Sequence, residues 1–81
     1  MTYQFHHQFA DSKKDRIFNV KVEEGYSVLH GENRHFVFIN DFARIQVAPE
    51  QSKGKTEREI AEYAFNRWVK YTEFLKAKYR G

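Results

Sequence analysis

Apolar and polar residues alternate with a period of two through the first half of the chain and recur near a period of 3.6 in the second. Successive side chains of a strand point to opposite faces, so alternation marks a half-buried strand. Residues 2–9, TYQFHHQF, place Tyr3, Phe5, His7 and Phe9 in one phase. Residues 16–22, RIFNVKV, place Phe18, Val20 and Val22 in one phase and Asn19 and Lys21 in the other. Residues 26–30 (YSVLH), 35–39 (HFVFI) and 42–47 (FARIQV) read as three further strands. The linking stretches are punctuated accordingly. DSKKD is polar, EEG predicts a turn at Gly25, GENR predicts a hairpin loop, and Asn40-Asp41 suits a tight turn because both residues tolerate positive φ.

Pro49 ends the last strand, and PEQSKGK reads as a solvated connector. Thr56 and Glu59 then form a Thr-x-x-Glu capping box, the pattern in which each side chain satisfies a backbone N–H that the helix leaves unpaired. Nothing interrupts a helix over 56–79, where Ile60, Ala64, Trp68, Tyr71, Leu75 and Tyr79 recur at spacings of four and three and predict a buried seam. The expected fold is α+β, with an antiparallel meander of four to five strands followed by one long C-terminal helix packed across one sheet face, in a single domain over 1–81. In element order alone this is similar to small single-strand-binding modules that pack a helix on a curved sheet. No residue motif adds a family to that likeness.

Composition sharpens two points. The chain has no cysteine, so disulfides and thiolate metal sites are excluded. Eight phenylalanines stand against two leucines, and HFVFI is apolar in both phases, so rings are left for the sheet face away from the helix. Phe36, Phe38 and Phe42 are the residues expected there, with Ile17 and Leu29 also in outward phase. A face of this kind is rarely bare on a small monomer. A homodimer, closure into a barrel, or a bound partner is expected to cover it. No run approaches the roughly 20 apolar residues of a membrane span and the N-terminus lacks signal-peptide character, so a cytoplasmic protein without a membrane partner is expected.

The histidines and acids suggest no catalyst. His6 and His7 are neighbours on a strand and point to opposite faces, so they do not share an ion; His7 is expected to face inward with a hydrogen-bond partner and His6 to face water. His30 and His35 flank the expected hairpin loop, with Glu32 inside it, but in no metal-site spacing. Ser12, Ser27 and Ser52 lack an activating signature, the acids of the first half (Asp11, Asp15, Glu23, Glu24, Glu32, Asp41) sit mostly in expected turns, and Gly25, Gly31 and Gly54 form no phosphate loop. No metal, no cofactor and no enzymatic activity are expected.

Charge provides the positive signal. The net charge is +3, yet residues 1–41 carry five bases and six acids (−1) and residues 42–81 carry nine and five (+4). Tyr63, Arg67, Lys70, Phe74 and Lys78 form a second helical stripe beside the seam, with Lys76 and Arg80 adding charge at its end. Cations for phosphates beside rings for bases are what single-strand binding requires; the same charges also complement a helix C-terminus. The expected function is therefore a small non-catalytic binding domain contacting single-stranded nucleic acid through Tyr63, Arg67, Lys70, Phe74, Lys78 and Arg80, with Arg44 on the last strand. The alternative is a protein-interaction module, a small inhibitor or accessory subunit of the phage or mobile-element kind, whose protein partner meets Phe36, Phe38 and Phe42.

Overall fold

The computed structural model describes residues 2–10 and 13–80, the last without its side chain; Asp11 and Ser12 of the first polar linker lie outside the described residues. Four strands, β1 (Thr2–His7), β2 (Arg16–Ser27), β3 (Glu32–Ile39) and β4 (Ala43–Val47), form an antiparallel sheet in the order β1-β2-β3-β4. Two helices follow, α1 (Pro49–Ser52) and α2 (Glu57–Arg80), and α2 packs across one face of the sheet.

The register fixes which residues share a face. Phe5 stands opposite Phe18, Val20 opposite Ile39, Val22 opposite Val37, and Val37 opposite Ile45. The inward phase therefore aligns Phe18, Val20, Val22, Val37, Ile39 and Val47, all buried under Ile60, Ala61, Ala64, Phe65 and Val69 of α2. Rings dominate one end of this core. Phe9, Phe18, Phe65 and Trp68 lie with centroids 5.2–6.2 Å apart, mostly edge to face, the arrangement ring quadrupoles favour.

The start of α2 is built as its sequence predicts. The Thr56 backbone N–H donates to Glu59 Oε1 at 3.0 Å, and the Glu59 N–H donates to Thr56 Oγ1 at 3.2 Å. The Thr56 backbone N–H, with the Thr56 side chain and the Lys55 ammonium acting the same way, holds the Glu59 carboxyl below the usual carboxylate range.

Three expectations change. Gly25 is not a turn: β2 runs through it for 12 residues, and Gly25 pairs with Arg34. The stretches 16–22 and 26–30 are thus one strand ending at Ser27, and the hairpin turn is residues 28–31 instead of GENR. Gly31, at φ +66°, supplies the left-handed position, its N–H donates to the Ser27 carbonyl at 2.8 Å, and the Ser27 hydroxyl takes the His30 N–H. Local turn chemistry at Ser27 and Gly31 outcompetes the EEG signal. Second, the connector holds a helical turn, α1, with Pro49 in its first turn, where a missing N–H costs nothing.

Third, the buried stripe of α2 is rotated. Ile60, Ala64 and Trp68 lie on it as expected, but Tyr71 and Tyr79 are 61% and 78% exposed, and Ala61, Phe65 and Val69 are buried in their stead. From Ala77 to Tyr79 every residue is exposed, because the last turns of this 24-residue helix extend past the ring cluster.

Gly25 offers a simple check of the continuous β2. Its φ is not positive, and an added Cβ would lie 3.5 Å from the Phe36 ring, an ordinary contact. Gly25→Ala is expected to stabilise the fold by about 0.4–1 kcal/mol through the unfolded chain, measured by urea melts. A glycine that turned the chain with positive φ would instead make the substitution destabilising.

Candidate binding surfaces

Two surfaces carry the chemistry, on opposite sides of the molecule. The first is the flank of α2 beside its buried stripe. Tyr63 is half-buried at its start, and Arg67 Nη1 donates to the Tyr63 hydroxyl at 3.2 Å. The Lys55 ammonium sits 4.2 Å from the Tyr63 ring centroid, within cation–π range. Lys70, Phe74 and Lys78, one to three turns beyond Arg67, are exposed, Phe74 by 62%. Tyr71 lies next to them and Tyr79 near the end of the helix, and both are exposed.

Two carboxylates of α2 are engaged away from this flank. Glu59 is occupied in the cap, and Glu73 is drawn to the far side by His7, whose Nε2 lies 3.0 Å from Glu73 Oε1. None of Arg67, Lys70 and Lys78 lies in an ion pair with a described residue. The Arg80 side chain lies outside the described residues.

The second surface is the sheet face that α2 leaves uncovered. Phe36 and Phe38 project from it, half-buried, while Val37 and Ile39 face the helix. Arg44 stands opposite Phe38 across the β3–β4 ladder, and its guanidinium carbon lies 5.9 Å from the Phe36 centroid. Most charge on this face is neutralised locally: Lys21 Nζ lies 2.8 Å from Glu23, raising the lysine pKa, and Arg34 lies 2.7 Å from Glu32. Arg44 has no such partner among the described residues.

The structure thus regroups the residues singled out by sequence. Tyr63, Arg67, Lys70, Phe74 and Lys78 form one flank. Arg44 is not part of it and belongs with Phe36 and Phe38. Phe42 sits in the β3–β4 turn, with its centroid 5.6 Å from Trp68, at the border between sheet and helix. Sequence reasoning missed Tyr71 and Tyr79 by placing them in the core. It also missed the hairpin tip, where Tyr26, Val28 and Leu29 are 63%, 88% and 83% exposed, because YSVLH reads as a strand.

The histidines follow their strand phases. His7 faces the helix and meets Glu73, with its ring edge-on to Phe9 at 4.6 Å. His6 is exposed and bonds Asp15 at 2.8 Å. With Glu32 taken by Arg34 and His35 opposite Glu24, the hairpin assembles no ligand set, and among the described residues no group of three or more side chains is placed to hold a metal ion. Among those residues no helix is long and apolar enough to cross a membrane. No family model matches the chain, and neither a curated protein nor a solved structure matches it significantly.

Proposed function

We propose that the protein is a small non-catalytic binding domain that holds single-stranded nucleic acid against the flank of α2. Arg67, Lys70 and Lys78 serve as phosphate contacts, and Phe74 and Tyr71 as stacking surfaces. The observation that carries this reading is the combination of two exposed rings with three cations that pair with no carboxylate among the described residues, along one helix flank. Phosphates need unpaired cations, and bases of any sequence stack on exposed rings. Fluorescence anisotropy of a labelled random-sequence single strand at two ionic strengths tests it: binding should be measurable at low salt and weaken steeply as salt rises. A strand that shows no binding at low salt removes the proposal.

The uncovered sheet face supports a second reading, a protein-interaction module that pairs with a partner or with a second copy. Its support is that Phe36 and Phe38 both point away from the helix. In this reading the protein sediments as a dimer, and Phe36→Glu converts it to a monomer without changing the helical circular dichroism signal. A monomer at high micromolar concentration in the unmodified protein excludes self-association through this face.

A further inference from the structure

On the uncovered sheet face, at the end where β3 turns into β4, an open cleft of about 930 Å³ lies between Asn19, Lys21, Phe38, Asn40, Asp41 and Arg44. Its lining is chemically mixed, with the Glu23 carboxylate beside Lys21 and Asp41 next to Asn40, and the two asparagines are held in place. Phe38 presents a half-buried ring. Asn40 is pinned in the left-handed region at φ 50° by two bonds to Asn19: its N–H donates to the Asn19 carbonyl at 2.7 Å, and its Oδ1 accepts the Asn19 N–H at 2.8 Å. The Asn19 Oδ1 accepts from Gln4 Nε2 at 3.2 Å. With both amide oxygens engaged, the side-chain NH2 groups of Asn19 and Asn40 remain as donors. Lys21 is neutralised by Glu23, so Arg44 is the cation left for an anion.

We infer that this cleft is a nucleotide site, in which a nucleobase stacks on Phe38 with its edge on the Asn19 and Asn40 amides and its phosphate on the Arg44 guanidinium. A half-buried ring in the lining, amide donors and one guanidinium unpaired among the described residues match the three parts of a nucleotide: π-face, polar edge and phosphate. A second copy of the chain fits less well, since it would bury the Arg44 guanidinium, which makes no ion pair with the Glu23 and Asp41 carboxylates that also line the cleft, and an unpaired buried charge is costly. The site lies across the sheet from the α2 flank and stands whether or not that flank binds a strand. The same chemistry is offered by a free mononucleotide and by an unstacked nucleotide within a strand.

Amide-resolved NMR of the full chain with AMP as probe tests the site. Millimolar AMP is expected to shift the amides of Asn19, Lys21, Phe38, Asn40 and Arg44, with those of Arg67 to Lys78 moving less. Ribose 5-phosphate, which lacks the base, should bind at least about tenfold more weakly, one base stack being worth that much or more. Arg44→Gln should weaken AMP by about tenfold, the range of a charged hydrogen bond. Phe38→Ala should do the same, and if that variant unfolds, Arg44→Gln on an exposed strand position still decides. A short oligo-dA that shifts the same amides at a tenfold lower concentration identifies a strand as the source; equal affinity identifies the free nucleotide. The inference is overturned if AMP leaves the cleft amides unmoved, or if Arg44→Gln leaves AMP affinity unchanged. It is also overturned if these amides shift with protein concentration alone, which would place a second copy on the face. Charge reversal at Lys70 and Lys78 separates the two sites, because it should leave the AMP shifts intact.

Discussion

Phe18→Ala is expected to remove most of the protein's stability, about 3–5 kcal/mol in a urea melt. Phe18 is 1% exposed, and its ring centroid lies 5.2 Å from Trp68, 5.5 Å from Phe65 and 6.2 Å from Phe9. Truncation therefore opens a cavity among rings that are fixed by one another and cannot collapse into it. A domain of this length holds in total only about 4–12 kcal/mol at about 0.05–0.15 kcal/mol per residue. Trp68→Ala should cost somewhat less, about 3 kcal/mol, because Trp68 is only partly buried although it packs near four other rings. Tyr71→Ala, on the exposed flank, should cost no more than about 0.5 kcal/mol. The order of the three variants measures the rotation of α2. A Tyr71→Ala loss equal to that of Trp68→Ala would mean that the helix buries the other flank.

That rotation is also where the sequence was least legible. The line through Ile60, Ala64 and Trp68 follows from periodicity, but both of its flanks are rich in apolar atoms: Ala61, Phe65 and Val69 on one side, Tyr63, Tyr71 and Phe74 on the other. Which flank meets the sheet depends on the angle at which the helix crosses it, and no local pattern encodes that angle. The strand phases were legible because a period of two allows one alternative only, and Phe18-Val20-Val22 and Val37-Ile39 resolve it. The β2–β3 turn was misplaced because Gly25 is the more conspicuous breaker, whereas the bonds that close the turn run through Ser27 and Gly31. The cleft around Arg44 was not legible at all: its parts come from β2, β3, the β3–β4 turn and β4, and only the register brings Arg44 opposite Phe38.

Reversing the three cations of the α2 flank, Arg67→Glu, Lys70→Glu and Lys78→Glu together, is expected to abolish single-strand binding while leaving the fold in place. In the unmodified protein, three phosphate contacts at about −0.7 each give a log–log salt slope near −2. Glutamate has nearly the helix propensity of lysine and arginine, so α2 should persist with unchanged circular dichroism. The three side chains are exposed and form no ion pair with a described residue, so their loss from the folded state costs little. Each reversal removes two charges, taking the formal net charge from +3 to −3, and a change of that size repels any polyanion at long range. Reversing Lys13, Lys14 and Lys53 gives the same net charge away from the flank and is the necessary control. A helix-flank site predicts that this control weakens binding modestly and keeps the slope near −2, while the flank variant loses both affinity and slope. Phe74→Ala adds a test of the rings, with an expected loss of about 1–3 kcal/mol if a base stacks there and no change in slope, since no phosphate contact is removed. Equal losses in the flank and control variants would reduce the interaction to net charge alone and leave the helix flank without a specific role.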